Sequence, residues 1–250
     1  MKVLKIGGSV LTRKSGYREP DADNIRRMAK AVASIWKSGS RDFILVHGAG
    51  SFGHPLVLRH GIDNGVKTDE QKLGYADTHA ACSELSSLFV KALVEEGAPA
   101  VSIPPASVIL QKNKRIVGFS SIPSDYLKRG FLPVLHGDMV PDSALGGSVC
   151  SGDQIVAYLG KEADFIVLAT NIDGVLDDKG KLIEKITSAN FPEISKHFKP
   201  SPGDVTGAMA GKIKELLALD TASYIVNAAN PERIEALMKG RKAVCTEVRK

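Results

Sequence analysis

A glycine-rich segment flanked by histidines could do chemistry in this 250-residue chain. Residues 47–54 read HGAGSFGH and directly follow an apolar run at 42–46 that predicts a buried strand. Glycines at a strand end let the backbone approach a ligand closely, and their N–H groups can bind phosphate oxygens. The segment therefore predicts a phosphate-binding loop, although a glycine-rich turn without a ligand is the plain alternative.

The same segment also matches the G-x-G-x-x-G spacing of dinucleotide-binding loops, through Gly48, Gly50 and Gly53. In that fingerprint the third glycine packs a helix closely on the sheet. Here His54 and a proline follow at once, Gly61 interrupts any long helix, and no acidic residue ends a strand about twenty positions later. A NAD-dependent oxidoreductase is thus an alternative that explains the segment less well than another type of phosphate loop.

Two further segments combine glycines or a helix start with charged residues. Residues 5–9 read KIGGS, and Lys14 follows, so backbone N–H groups and two lysines could meet one anion. Ser151 can cap a helix that begins at residues 152–153, where free N–H groups and the helix dipole favour an anion. A tight turn and a simple helix cap are the structural alternatives.

The last pair of segments reads TNIDGV at 170–175 and DVTGAMAGK at 204–212. The second resembles a P-loop only superficially, because its glycine-to-lysine spacing is one residue short. Ile213 also stands where a P-loop needs Ser or Thr to reach magnesium. Lys212 could still point at phosphates from its helix, or it could be a solvated helix lysine.

A frame of alternating strands and helices must bring these segments together. We predict strands at 3–6, 42–46, 100–103, 131–135, 165–169, 224–226 and 243–248, and helices at 20–37, 69–96, 153–161, 209–220 and 231–238. Residues 108–119 and 139–150 read as hairpins. This order predicts a single α/β domain over 1–250, a three-layer αβα sandwich with a mostly parallel central sheet and β-hairpins in the middle of the chain. Function should lie at the carboxyl ends of the strands.

Composition excludes several classes of protein. The net charge of +5 comes from scattered residues with no long basic run, so we expect no nucleic-acid partner. The three cysteines are far apart, which argues against a zinc site or disulfide framework and favours a reducing cytoplasm. We expect no secretory signal and no membrane partner, because no apolar stretch approaches 18 residues.

In order and content the four segments resemble the amino acid kinase superfamily over nearly the whole chain. The sequence GSFGH at 50–54 is narrower, and it is similar to the isopentenyl phosphate kinases and, with a small variation, to fosfomycin kinases. The resemblance implies ATP-dependent phosphorylation of isopentenyl phosphate in isoprenoid synthesis, with Mg²⁺ and a homodimer. It also implies that residues 1–150 form mainly the acceptor lobe and 151–250 mainly the nucleotide lobe.

The resemblance implies roles residue by residue. ATP would contact Lys5, Gly7, Gly8, Ser9, Gly50, Asn171, Asp173, Gly207, Ala208 and Lys212. The acceptor phosphate would contact Ala49, Gly50, His54 and Gly152, and the isoprenoid tail could lie near Tyr75, Ala76, His79 and Ile103. Lys5, Lys14, Lys212 and His54 would act in catalysis, with Asp153 orienting the lysines and no residue assigned as a metal ligand.

Two departures from the family pattern fall on the nucleotide side. The family commonly has Thr-Asp-Val-Asp-Gly where Asn171 replaces the first aspartate, and it often has Thr-Gly-Gly where Ala208 stands. Two rivals share the fold: a kinase of fosfomycin or another phosphonate or carboxylate, and a non-catalytic nucleotide-binding regulator. His54 disfavours carboxylate acceptors, and the presence of Lys5, Lys14 and Lys212 disfavours the regulator.

Overall fold

The computed structural model describes residues 1–13, 16–196 and 208–250, and Ala208 through its backbone alone. In chain order the strands of this part are β1 (Lys2–Ile6), β2 (Phe43–His47), β3 (Ala100–Ser102), β4 (Ile109–Lys112), β5 (Arg115–Phe119), β6 (Leu132–His136), β7 (Asp138–Asp142), β8 (Gly146–Cys150), β9 (Phe165–Thr170), β10 (Lys185–Ile186), β11 (Ala222–Asn227) and β12 (Thr246–Val248).

The helices in the same ranges are α1 (Gly8–Leu11), α2 (Ala22–Lys37), α3 (His54–Arg59), α4 (Asp69–Glu95), α5 (Ile122–Lys128), α6 (Gly152–Leu159), α7 (Phe191–Ser195), α8 (Ala208–Leu217) and α9 (Pro231–Met238). None of them combines the length and the apolar character that a membrane span requires, as far as the described ranges go.

Two sheets organise the chain. The larger has the order β10-β12-β11-β9-β1-β2-β6-β3, and its neighbours are parallel except for the β11–β12 pair. The smaller has the order β5-β4-β7-β8 and consists of the two predicted hairpins, joined by a parallel contact between β4 and β7. The predicted fold class is therefore confirmed.

Helices cover both faces of the larger sheet. Along β1, Leu4 and Ile6 pack on one face with α2, α4 and α9, while Val3 packs on the other face with α6 and α8. A parallel strand buried on both faces needs apolar side chains at successive positions, which explains the unbroken apolar runs in the sequence. Every residue of β2 is buried.

Three long helices begin at side-chain caps that the sequence makes available. Asp21 accepts a hydrogen bond from the N–H of Asn24 at 3.0 Å before α2, and Thr68 forms a capping box at the start of α4. Ser151 forms the same kind of box at the start of α6, which confirms its predicted role as a cap.

Several short elements were not predicted. Helix α1 starts directly at Gly8 and has four residues, too few for a periodic pattern to show. Pro55 lies in the first turn of α3, where its fixed φ and missing N–H cost nothing. The predicted strand at 243–248 is shorter than expected, because only Thr246–Val248 pair with a neighbour.

Candidate active site

The carboxyl ends of three adjacent strands lie in register at one edge of the sheet. Ile6 pairs with His47, and His47 pairs with His136. The segments that follow these three residues therefore emerge side by side, as expected for parallel strands. Strand β8 ends at Cys150 and leads into α6 beside them.

Glycines let the segments after β1 and β2 touch backbone to backbone. A Cβ built on Gly8 would collide with the backbone N of Gly50 and lie 2.8 Å from its Cα. A Cβ on Gly48 would lie 2.5 Å from the backbone N of Gly8, and Gly50 has a φ of +52° with Thr12 against it. Only glycine fits these three positions, so the predicted loop is built by close backbone approach.

Free backbone N–H groups collect where the segments meet. Among residues 1–13, 16–196 and 208–250, no group accepts a hydrogen bond from the N–H of Gly8, Ser9, Ala49, Gly50, Gly152 or Asp153. Such a set of unpaired donors suits an anion with several oxygens.

Gly137 is a site residue that the sequence analysis missed. A Cβ at this position would lie 3.3 Å from the backbone N of Gly152 and 3.5 Å from that of Ala49. The missing side chain thus leaves open the space in front of two free N–H groups. The signal was present in the sequence as a glycine directly after a buried strand that ends in His136.

A carboxylate lies between two lysines next to this space. The Lys5 Nζ donates to the Asp153 Oδ1 at 2.7 Å, and the Lys212 Nζ is 3.9 Å from the same oxygen. Lys5 is almost fully buried, with 7% of its side chain exposed. The structure therefore brings together Lys5, Lys212 and Asp153, which lie far apart in the sequence.

The charge of Asp153 is stabilised by its neighbours. Burial opposes ionisation, but Lys5, Lys212 and His54 together lower the pKa of Asp153 below its ordinary value. His54 is the exposed first residue of α3, and its effect on Asp153 is electrostatic. The arrangement holds two ammonium groups at fixed places beside the free N–H groups.

Two further histidines are fully buried beneath the site. His47 and His136 stack with their ring centroids 5.4 Å apart, and each Nδ1 lies 3.1 Å from the carbonyl oxygen of the next residue. Burial lowers the pKa of each imidazole to about 4, so both are neutral at pH 7. Their role is to hold the Gly48 and Gly137 peptides.

The nucleotide-side candidates meet through side chains. The Asn171 Nδ2 donates to the carbonyl oxygen of Ser9 at 2.9 Å and to its Oγ at 3.1 Å. Asp173 accepts from Arg233 at 2.7 Å and from Asn227 at 3.3 Å. Arg233 was not anticipated, because its α9 position carries no local motif.

Some candidates fall outside this description or elsewhere in the fold. Lys14 and Gly207 lie outside the described residues, and Ala208 is described only as the first residue of α8. Gly7 lies at the end of β1, where its N–H donates to the carbonyl oxygen of Ala169 at 2.9 Å.

The proposed tail-pocket residues divide into separate groups. Tyr75 packs beside Gly147 and Val66, and His79 binds Asp138 through Nδ1 at 2.9 Å. Ala76 is exposed, and Ile103 is buried in the cluster on the opposite face of the large sheet from α4. The structure therefore does not place Ile103 beside Tyr75.

Comparison with known proteins agrees with this geometry. The model of the amino acid kinase family matches residues 1–223. Isopentenyl phosphate kinase of Methanothermobacter thermautotrophicus is 36% identical, over 99% of this chain and 98% of that protein. Isopentenyl phosphate kinase of Methanocaldococcus jannaschii is 34% identical, over 96% and 95%. A solved isopentenyl phosphate kinase structure superposes with a TM-score of 0.84 at 33% identity, over 99% of both chains. The chain therefore belongs to the amino acid kinase family, in the group of the isopentenyl phosphate kinases.

Proposed function

We propose that this chain transfers the γ-phosphoryl group of ATP to the phosphate of isopentenyl phosphate and so forms isopentenyl diphosphate. The observation that carries the proposal is the placement of Lys5, Asp153 and Lys212 beside free N–H groups from three different segments. His54 would stand on the acceptor side of the same space, and its electrostatic effect on Asp153 supports this.

The acceptor needs no general base. The second pKa of a phosphate monoester is about 6, so the attacking oxygen is already ionised at neutral pH. The obstacle is repulsion between two phosphate groups that must come close, and fixed positive charges and N–H donors reduce it. The site consists of these two kinds of group.

On the acceptor side, the N–H groups of Ala49, Gly50 and Gly152 would bind the acceptor phosphate, and His54 would donate a hydrogen bond to it. A donor at this point favours a doubly charged phosphate over a carboxylate. The neutral rings of His47 and His136 would keep the neighbouring peptides in the orientation that this binding needs.

On the nucleotide side, Gly7, Gly8 and Ser9 would hold the ATP phosphates, with Asn171 fixing Ser9. Lys5 and Lys212 would stabilise the transferred group, oriented by Asp153, and Lys14 would add a third cation. Asp173, Gly207 and Ala208 would lie beside the nucleotide. Asp173 already pairs with Arg233 there.

Mg²⁺ would enter the site with ATP, and it would supply charge neutralisation on the phosphates. Mg²⁺ in kinases is held largely by phosphate oxygens and water, with one or two carboxylates. The site fits this mode. Asp153 is the carboxylate in the site, and because it already pairs with Lys5, phosphate oxygens and water would supply most of the Mg²⁺ ligands. Over the described ranges, no three His, Cys, Asp or Glu side chains gather as a separate metal site.

Assembly and location are further parts of the proposal. Family resemblance supports a homodimer, and the exposed Leu58 and Leu73 on neighbouring helices α3 and α4 offer apolar surface for a partner copy. We also propose a cytoplasmic location, which the three free cysteines support. The division into an acceptor lobe over 1–150 and a nucleotide lobe over 151–250 is proposed on the same resemblance.

Coupled measurement of ADP release tests the function. The protein with Mg·ATP is assayed in parallel against isopentenyl phosphate, dimethylallyl phosphate, fosfomycin and N-acetylglutamate. We expect fast turnover with isopentenyl phosphate, with or without dimethylallyl phosphate. Turnover only with another acceptor would discard the proposed substrate, and turnover with none would favour the regulator.

A further inference from the structure

The hairpin of β4 and β5 contacts both helices that carry Asp153 and Lys212. The Nε2 of Gln154 donates to the carbonyl oxygen of Lys114 at 2.7 Å. The guanidinium of Arg115 donates to the carboxylate of Glu215 at 3.0 Å. Gln154 belongs to α6 and Glu215 to α8, so Lys114 in the turn and Arg115 at the start of β5 connect two separate helices.

On α6, the contact is next to Asp153. The Oε1 of Gln154 accepts a hydrogen bond from the N–H of Ser151 at 3.0 Å, and the N–H of Gln154 donates to the Ser151 Oγ at 3.2 Å. One side chain therefore closes the helix cap and also reaches the turn. This fixes the first turn of α6, which contains Asp153, relative to the hairpin.

On α8, the contact controls the direction of Lys212. Lys212 and Glu215 are three residues apart and share a face of the helix. The neighbouring positions Ile213 and Leu216 are buried in the core. The burial of these two residues fixes how α8 packs, and the exposed pair of Glu215 with Arg115 adds a contact that favours the rotation at which the Lys212 Nζ lies 3.9 Å from Asp153.

The turn itself is held firmly by a buried carboxylate. Asn113 and Lys114 have φ values of +50° and +63°, in the left-handed region. The carboxylate of Asp142 accepts hydrogen bonds from their N–H groups at 3.1 and 2.8 Å, and from Ala144 and Leu145 at 2.9 and 3.0 Å. Burial opposes ionisation of Asp142, but these donors hold its pKa well below the usual range.

We propose that the β4–β5 turn is a positioning element that sets the spacing of α6 and α8 and thereby places Lys212 against Asp153 for phosphoryl transfer. Its kinetic readout rests on the proposed function. Lys212 would stabilise the negative charge of the transferred phosphoryl group. The turn should therefore affect kcat more than the KM for the acceptor.

Charge reversal provides the test. Arg115→Glu and Glu215→Arg each place like charges together, and each should lower kcat about fivefold, since exposed ion pairs have modest energies. The double variant restores an opposite pair and should return kcat to within about twofold of the wild type. The KM for isopentenyl phosphate should change less than about twofold in all three.

Lys214→Glu is the matched control. It changes the charge of α8 by the same amount next to Glu215, but Lys214 is exposed and among the described residues it has no ion pair. Its kcat should equal that of the wild type. Single variants with unchanged kcat, or a double variant as slow as the slower single one, would overturn the proposal.

A second pair of variants tests the α6 contact. Ser151→Ala removes one hydrogen bond of the cap and leaves Gln154 bonded to Lys114. Gln154→Ala removes the other half of the cap and also the bond to the turn. We expect Gln154→Ala to lower kcat severalfold more than Ser151→Ala, while equal losses would indicate a capping role alone.

Hydrogen exchange keeps the inference testable without turnover. Amides of Ala208–Leu217 should exchange faster in Glu215→Arg than in the wild type, and the double variant should restore their protection. If the wild type does not phosphorylate isopentenyl phosphate but the exchange pattern holds, only the proposed substrate fails. If turnover is normal and exchange is unchanged in every variant, only the positioning role fails.

Discussion

Two parts of the site are built differently. Where the segments after β1 and β2 meet, Gly8, Gly48 and Gly50 contact each other backbone to backbone, and the geometry follows from the absence of side chains. After β9, Asn171 donates to Ser9 and Asp173 accepts from Arg233, so these two residues are placed by their own side chains. Backbone contact tolerates almost no substitution, whereas a side-chain contact can be lost at a moderate cost.

The largest effect should come from filling the backbone contact. Gly8→Ala forces the backbones of Gly8 and Gly50 apart, and we expect a loss of about 3 kcal/mol in the free energy of unfolding. We also expect kcat/KM to fall by a factor on the order of a thousand, because misplaced groups lose the alignment of the reactants. Urea unfolding and the ADP assay measure the two effects.

Gly211→Ala is its control. Within the described part of the chain no atom lies within 4 Å of a Cβ at that position of α8, so alanine should stabilise the helix by about 0.5–1 kcal/mol. A Gly8→Ala protein as stable as the wild type would contradict the account of this contact.

The next effect isolates acceptor binding from folding. In Gly137→Ala the new methyl would lie 3.3 Å from the N of Gly152 and 3.5 Å from the N of Ala49, in the space given to the acceptor phosphate. We expect the KM for isopentenyl phosphate to rise about a hundredfold, in line with the loss of one or two charge-assisted hydrogen bonds. The KM for ATP and the melting temperature should change little, and a parallel rise in the ATP KM would contradict the assignment.

A smaller effect should separate the two sides through one side chain each. His54→Ala should raise the acceptor KM about tenfold and leave the ATP KM within about twofold. Asn171→Ala should do the reverse, with a rise of about threefold in the ATP KM, because Ser9 loses a neutral hydrogen bond. Equal changes in both constants for either variant would remove the distinction between the sides.

The smallest effect concerns pH and the buried rings. Because burial lowers the pKa of His47 and His136 to about 4, the unfolded chain binds protons below pH 6.5 that the native protein does not. The free energy of unfolding should therefore decrease as the pH is lowered, by about 1 kcal/mol for each ring between pH 6.5 and 5.5.

His79 works in the opposite direction. Its hydrogen bond to Asp138 raises its pKa, so its contribution is present below pH 6.5 and is lost as pH rises through the native value. Ring resonances in NMR distinguish the three groups. His47 and His136 should stay neutral down to about pH 4, and titration of either ring near pH 6.5 would contradict their burial.

The sequence predicted the glycine segments better than the side-chain contacts of Asn171 and Asp173, for a physical reason. Glycine at a strand end has a local meaning, so residues 47–54 and 5–9 could be recognised without the fold. Gly137 followed the same rule but lacked a second glycine, and it was missed. Arg233 reaches Asp173 across 60 residues, and no local pattern reports such a contact.

Secondary structure shows the same division. Long helices with caps, such as Ala22–Lys37 and Asp69–Glu95, were predicted to within about two residues. The short helices α1, α3 and α5 were not, because four to seven residues hold too little periodicity. Two of the three contain a proline in the first turn, which in isolation reads as a break.

The backbone contact of Gly8 with Gly48 and Gly50 has a consequence for laboratory evolution. A library that diversifies these positions would contain mostly inactive proteins, because no side chain can be accommodated there to alter selectivity. New acceptors would instead be selected through the residues proposed to surround the substrate tail, such as Tyr75 and its neighbours at the hairpin sheet. The glycine contacts can then stay unchanged while phosphate monoesters with different organic tails are tested as acceptors.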